Sequence, residues 1–456
     1  MRAFTIVVSA VACLAISSAA SAQDKPATRL PEDVVSAWMK AGAQVGWLGH
    51  ETFGHLMFHD GTDGKAGEVP AFQFPAWKAG VIGTLPVPQH SFGLSLIHTD
   101  MADAGLQELA GLKSLQSLNV AFTKVTDAGM KDLAGLTSLH SLDLRSTEVT
   151  DAGVKELAGL KSLRLLSLRS THVTDASLKE LAGLTLLRRL DLDGTGVTGA
   201  GLKDLAHLQS LKLLDLGRTA VKDSDLNALA QVKSLTSLDL RSTQVTDEGL
   251  KELAGLPALQ SLDLRDTNVT DAGAKTLAGA KTLKSLDLSI TSLTDTGLKD
   301  LAGLSSLEEL RLYGTKVTDN GLKELAGLKS LRSLDLDGTG VTDAGLKELA
   351  GLKSVQKLNL GRTVITDAGL EHLAGLPTLD SLDLRHTKVT DHGLKTLAQL
   401  KTLKSLDLNR TAVTDAGLKD LAGLPALEKL YLRETKVTKA GVAELQKTLA
   451  GVKTTY

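Results

Sequence analysis

The chain has 456 residues, with 51 Lys and Arg against 53 Asp and Glu, a formal charge of −2, 43 Gly, one Cys, and only 3 Trp, 3 Tyr and 7 Phe. Near-neutral charge, with no long block of one sign, excludes the electrostatic footprint of a duplex nucleic-acid binder and of a polybasic membrane arm. A hydrophobic share of 42% with an aromatic share of 3% excludes an aromatic-rich globular core, so the interior must be built from Leu, Val and Ala.

Residues 1–22 carry a single basic residue, Arg2, then an apolar run over residues 3–16 and the small-residue end Ala20-Ser21-Ala22 before Gln23. This is the pattern of a secretory signal cleaved after Ala22. The apolar run is shorter than the ~20 residues that a membrane span requires. Cys13 lies inside this segment, so the mature chain is expected to have no disulfide, no thiolate metal ligand and no cysteine nucleophile. The expected location is secreted, periplasmic or cell envelope, with no membrane span in the mature chain.

Residues 23–90 differ in composition from the rest and hold all three Trp, at Trp38, Trp47 and Trp77. Gly61, Gly64 and Gly67 mark a loop, while Pro70, Pro75, Pro86 and Pro88 prevent long helices. Ala71-Phe72-Gln73-Phe74 alternates as a degenerate repeat strand, so the segment is expected to cap an elongated interior with aromatic side chains. His50-Glu51-Thr52-Phe53-Gly54-His55 resembles a zinc-binding helix only in part. Three residues separate its Glu from the second His, which loses the i, i+4 geometry. His55 and His59 keep that spacing, but the alternation His55-Leu56-Met57-Phe58-His59 favours a strand. His50, His55 and His59 are thus weak metal candidates, and the expectation is no metal and no cofactor.

From residue 91 to 450 one 24-residue unit recurs fifteen times without an insertion, marked by Leu115, Leu139, Leu163 and their successors to Leu427. The consensus is L-x-x-L-x-L-x-x-T-x-V-T-D-A-G-L-K-E-L-A-G-L-K-S. Its L-x-L part alternates as a strand does, and its D-A-G-L-K-E-L part has the spacing of a short amphipathic helix. Asp127 and its equivalents are expected to cap the helix start, and Gly135 and its equivalents to end it in a left-handed conformation. One coil cannot bury its own leucines. Stacked coils can, with their strands aligned in one parallel sheet, concave because strands are slimmer than helices.

These residues resemble the leucine-rich repeat family. The V-T-D-A-G-L-K-E-L-A half is similar to the cysteine-containing subclass found in F-box adaptors. Two differences are that Thr replaces the Cys or Asn after L-x-L in all fifteen copies, from Thr99 to Thr435, and that the unit is shorter. The resemblance implies an α/β fold, a right-handed horseshoe-shaped solenoid with short helices on its convex side. It also implies a buried polar ladder between coils at the Thr position, and binding of protein or peptide on the concave sheet without catalysis.

Between the two core Leu of each strand nine of fifteen positions are Asp, and two residues later Arg occurs six times, for example Asp143 with Arg145 and Asp383 with Arg385. One reading is a solvated, self-paired charge ladder. The other is a surface for an extended polar ligand. The tenth copy replaces the usual Ser, Asp and Arg with Glu309, Arg311 and Tyr313, beside Asp287 and Asp335, and the fifteenth does so with Lys429, Tyr431 and Arg433. Tyr and Arg are enriched in binding hot spots, which makes these the candidate ligand-binding residues. At the end of the array, residues 440–452 read as a longer capping helix with residues 451–456 as its tail. The expected function is a non-enzymatic, extracytoplasmic binding scaffold for protein or peptide. A structural envelope spacer is the alternative, ahead of an F-box-like adaptor or a metal-dependent enzyme within residues 23–90.

Overall fold

A computed structural model describes residues 29–50, 55–61 and 63–456. The signal segment, its cleavage site and Cys13 lie outside the described residues. The chain divides into two compact units, the first running to Val197 and taking in Asp204–Asp215, the second formed by Thr198–Lys203 and Leu216–Tyr456.

Both units are built from the predicted coil. In the third copy Leu139, Leu142, Leu144, Val149, Val154, Leu157 and Leu160 are all fully buried, which unites the strand and helix halves of the consensus in one apolar layer. The first unit opens with helix α1 (Glu32–Lys40) and strands β1 (Gln44–His50), β2 (Leu56–His59) and β3 (Val69–Gln73). It continues with β4 (Phe92–Ser95), β5 (Leu115–Asn119), β6 (Ser141–Asp143), β7 (Leu165–Ser167), β8 (Arg189–Asp191) and β9 (Leu213–Asp215). Strands β3 to β9 pair in parallel, each with the next, and the register matches equivalent residues of neighbouring copies: Ser117 with Ser141, Leu118 with Leu142, Asn119 with Asp143. The second unit repeats this plan in β10 (Ser237–Asp239), β11 (Ser261–Asp263), β12 (Ser285–Asp287), β13 (Glu309–Arg311) and β14 (Ser333–Asp335). It ends with β15 (Lys357–Asn359), β16 (Ser381–Asp383), β17 (Ser405–Asp407), β18 (Lys429–Tyr431) and β19 (Lys453–Thr455), again all parallel.

The polar residues of the repeat do different work from that expected. The helix cap is the Thr before the Asp: Thr150 Oγ1 accepts the Ala152 amide. Asp127 reaches instead into the following coil. It accepts the Thr150 amide at 2.7 Å on one oxygen and the Thr150 hydroxyl at 2.6 Å on the other. The same pair recurs from Asp223 with Thr246 to Asp415 with Thr438, so the carboxylate bolts coil to coil rather than capping its own helix. A Cβ at Gly153 would collide with Asp127 Oδ1, which accounts for Gly in the D-A-G motif.

The Thr column is buried as expected but does not bridge coils. Thr147 Oγ1 donates to the Leu144 carbonyl three residues back, and Thr243, Thr339 and Thr387 repeat this within their own coils. Nor does Gly135 end its helix in a left-handed conformation. The left-handed residue is the one preceding the Thr, and it is seldom Gly: Ser146 has φ 53°, Arg362 53° and Ile290 55°. There the chain turns out of the strand, and the amide of this residue is held by the next coil, as Ser146 N donates to the Arg169 carbonyl at 2.8 Å. Interlocking of adjacent coils thus imposes a conformation that an L-residue avoids in isolation.

The amino-terminal segment packs aromatic side chains together beside the first repeat. Trp38 stacks on Phe72 at 4.3 Å between ring centroids, lies edge-on to Phe92, and donates its indole N–H to the Pro86 carbonyl at 3.0 Å. Strand β3 pairs with β4 as the degenerate repeat predicted at Ala71-Phe72-Gln73. Beyond this cluster, β1 and β2 form an antiparallel hairpin, with β1 also antiparallel to β3. At the other end the last helix spans Lys439–Thr448. Residues 451–456 are not its tail: the chain returns as β19 beside β18, covering the last strand edge with main-chain hydrogen bonds.

Candidate functional site

The residues that alternate with the core leucines form the sheet face of each unit. On this face the Asp column has a local task. Asp143 Oδ1 accepts the Arg145 amide at 3.2 Å, and Asp239, Asp263, Asp287, Asp335, Asp383 and Asp407 each accept the amide two residues on. Each Asp therefore holds the bend into the left-handed residue, leaving its second oxygen for the face. The arginines are largely met from within the chain: Arg145 lies 3.1 Å from Asp143, Arg169 3.0 Å from Asp193, and Arg241 pairs with Asp239.

Parallel register places aspartates of adjacent copies side by side, Asp263 next to Asp287 and Asp383 next to Asp407. Like charges so placed, on a partly desolvated face, favour the protonated form. Burial first, and then the Asp287 charge, push Asp263 up to about 6. Burial raises Asp335 to about 6, and burial together with Asp407 raises Asp383 to about 7 against the pull of Arg385. Asp337 goes the other way, because hydrogen bonds from Arg362 and Arg385 outweigh its burial and hold it below the ordinary carboxylate range.

The candidate residues of the tenth copy sit at the centre of this pattern. Arg311 donates to Glu309 at 2.6 Å and lies 3.6 Å from Asp287, while Glu309 also accepts from the Ser285 hydroxyl at 3.0 Å. Tyr313 lies between two guanidinium groups, with Arg362 4.7 Å and Arg265 5.8 Å from its ring centroid. Arg362 then binds Asp337 through two nitrogens at 2.7 and 2.6 Å, and Arg385 adds a third bond to the same carboxylate at 2.5 Å. Gly314 and Gly338 occupy the neighbouring left-handed positions, and a Cβ at Gly338 would stand 3.5 Å from the Tyr313 ring. Asp335 lies beside Arg311 in the next strand.

Asp337 and Arg362 were not singled out in the sequence. Their signal is present: they are 25 residues apart, one coil plus one position, so the column of left-handed residues falls next to the Arg column of the preceding copy. The fifteenth-copy candidates are not brought to this network. Lys429 and Arg433 are exposed in the last repeat, with Lys429 opposite Lys453 of β19 and the Arg433 amide on Asn409 Oδ1 at 2.6 Å.

The three histidines go to three different partners. His59 Nε2 lies 2.9 Å from Glu68, a hydrogen bond that raises its pKa. His50 Nε2 lies 3.2 Å from Ser141 Oγ, and crowding by the surrounding chain, helped by Arg189, lowers its pKa to about 4. His55 lies 3.3 Å from Asp191. Among the described residues no group of three or more His, Cys, Asp or Glu could hold a metal ion, and no helix is long and apolar enough to cross a membrane.

Stacked strand–turn–helix coils with one shared apolar layer and a polar sheet face define a parallel α/β solenoid. A family model described as a leucine-rich repeat region matches residues 94–289 and 196–449, and the chain belongs to the leucine-rich repeat family. Among solved structures it is similar to an internalin (InlF) of Listeria monocytogenes, with 24% identity over 76% of this chain and 88% of that one and a TM-score of 0.50. It also matches the leucine-rich repeat protein LIC12759 of Leptospira interrogans, with 22% identity over 84% of this chain and 93% of that one and a TM-score of 0.49. No curated protein sequence matches the chain. These likenesses concern the fold, which typically serves as a scaffold for binding proteins.

Proposed function

We infer that the protein is an exported, non-enzymatic scaffold, and that the sheet face of its second unit binds an extended polypeptide around Tyr313. The observation that carries this reading is the network of Tyr313 with Arg265, Arg362, Asp337 and Arg385. A half-buried aromatic ring clamped by guanidinium groups, with glycines at its rim, is a pre-ordered apolar spot inside a polar surface. Such spots concentrate binding free energy. Arg311, held by Glu309 and Asp287, and Asp335 extend the same surface, and Lys429, Tyr431 and Arg433 offer a separate patch. Export rests on the signal pattern of residues 1–22.

A second reading has a specific observation in its favour. Most arginines of the face are already paired within the chain, as a spacer with no ligand requires. Affinity capture on the immobilised mature protein, compared with the Arg311→Ala/Tyr313→Ala variant, separates the two. A polypeptide retained by the first and lost by the second, with both proteins folded by circular dichroism, supports the scaffold. Absence of any polypeptide that distinguishes them leaves the spacer.

A further inference from the structure

Period turns charges that stand 24 residues apart into neighbours. The residue immediately before each strand forms a column at the rim of the sheet, and in copies three to six, within the first unit, it reads His140, Arg164, Arg188 and Lys212. Main-chain bonds fix the stacking: the Arg164 amide donates to the His140 carbonyl at 2.8 Å, Arg188 to Arg164 at 2.8 Å, and Lys212 to Arg188 at 2.9 Å. Three cations therefore follow one another at intervals of about 4.8 Å, with an imidazole at the end of the row. Arg188 is exposed and Arg164 partly so, and among the described residues neither guanidinium has a hydrogen bond or an ion pair. Much of the sheet face beside them is taken. The hairpin of β1 and β2 lies on it, with the Leu56 carbonyl 2.9 Å from Asn119 Nδ2, His50 against Ser141 and His55 against Asp191.

The repeat does not dictate this row. In the second unit the same column alternates in sign at Lys284, Glu308 and Arg332, and Arg332 Nε lies 3.4 Å from Glu308. Like charges in parallel register cost stability, and alternation removes that cost. The first unit keeps the costly arrangement, and its charge is felt locally: burial first, and then the Arg164 charge, lower the His140 pKa. Two residues before Arg188, Leu186 replaces the usual Ser and is 49% exposed. We propose that the row binds a linear acidic polysaccharide, each cation taking one carboxylate from a chain of uronic-acid rings that runs across the coils. Spacing selects this partner. An extended peptide presents side chains on one side only every ~6.6 Å, so it falls out of step with the row within two copies. A uronic-acid chain carries one carboxylate per ring, and a ring spans nearly the distance from one coil to the next. The planar fork of Arg suits a carboxylate, and Leu186 offers an apolar spot to the C–H face of a ring. The row uses no residue of the surface around Tyr313 and does not depend on the reading given for that surface.

Calorimetric titration of the mature protein with polygalacturonate tests this, beside neutral dextran and poly-glutamate of matched chain length. Polygalacturonate should bind and dextran should not. Arg164→Gln/Arg188→Gln should weaken polygalacturonate binding about 10-fold, as expected when two partly exposed ion pairs are lost. Two controls should leave it unchanged: Lys131→Gln/Lys155→Gln, which removes the same charge from exposed positions of the helical halves, and Arg311→Ala/Tyr313→Ala. Without any ligand, Arg164→Gln/Arg188→Gln should unfold at a slightly higher temperature, because repulsion in register is relieved. No binding of polygalacturonate overturns the proposal. An equal loss in either control does so too, because the attraction would then not reside in the row. Tighter binding of poly-glutamate overturns it by making the partner an acidic polypeptide. Unfolding of Arg164→Gln/Arg188→Gln at a lower temperature than the unaltered chain also overturns it, because the guanidinium groups would then serve the coil.

Discussion

The two units carry the same L-D-L-R strand, and the same four residues live in different surroundings. In the first unit Asp143 and Arg145 are shut in, with side chains 0% and 11% exposed, where the hairpin bears on the sheet face. In the second unit Asp383 and Arg385 are 23% and 29% exposed, and Arg385 divides its guanidinium between Asp383 and Asp337. The contrast shows that the face of a repeat protein takes its character from what lies over it and beside it, since the motif is constant. In the first unit burial pushes the Asp143 carboxyl up and Arg145 counters this only in part; in the second, burial likewise raises Asp263 and Asp383, and repulsion from Asp287 and Asp407 beside them adds to it.

That difference can be broken directly. Asp143→Ala leaves the Arg145 charge with no carboxylate in a site closed to water, and is expected to destabilise the first unit by about 3 kcal/mol. Asp383→Ala removes an equivalent bond to a backbone amide but relieves repulsion with Asp407, and is expected to change stability by less than about 1 kcal/mol. Urea unfolding, followed by hydrogen exchange in β6 and β16, measures both. Equal effects would dissolve the distinction between the faces.

A smaller effect follows from the open aspartates. Asp263, Asp335 and Asp383 titrate in the folded chain at about 6, 6 and 7, above the ordinary value of 3.8. Between pH 7 and 4 the folded state therefore binds more protons than the unfolded one, so stability rises as pH falls through this window. Carboxylates held low, such as Asp337 and Asp151, forfeit their contribution only at still lower pH. The second unit should gain about 2 kcal/mol in protection between pH 8 and 5, after allowance for solvent screening. Asp263→Asn/Asp335→Asn/Asp383→Asn should flatten the profile. A profile that already falls from pH 8 to 5 in the unaltered chain would show that burial and repulsion do not raise these carboxyls.

The smallest effect concerns the rim. Ile290 is β-branched at φ 55° and the residue is 41% exposed, so the strain there is set against little burial. Ile290→Gly is expected to stabilise the second unit by about 1 kcal/mol. Loss of stability in thermal unfolding would mean that the exposed Ile contributes packing to the surface around Tyr313 that outweighs the strain.

Much of the candidate site was legible because period converts into position. Arg311 and Tyr313 stand out against fourteen other copies, and a 24-residue spacing puts them on the face beside Asp287 and Asp335. Asp337 and Arg362 escaped because their contact depends on a turn whose left-handed residue was misplaced at Gly135. The Thr and Asp columns were recognised as polar and recurrent, but their partners were exchanged: the Thr of each strand bonds within its coil, and the Asp of each helix bonds to the next. Composition and spacing identify which residues recur. They do not say whether a side chain reaches back three residues or across to a neighbour 23 away.

The repeat length, the buried leucines and the strand and helix halves were determined by the sequence itself, since each follows from local periodicity. The covered face of the first unit was decided only by tertiary structure. Nothing in residues 44–59 specifies which surface a half-apolar hairpin will choose. That choice depends on Gly93 leaving room for Leu48, and on Asn119, Ser141 and Asp191, drawn from three separate copies, arriving together beneath it.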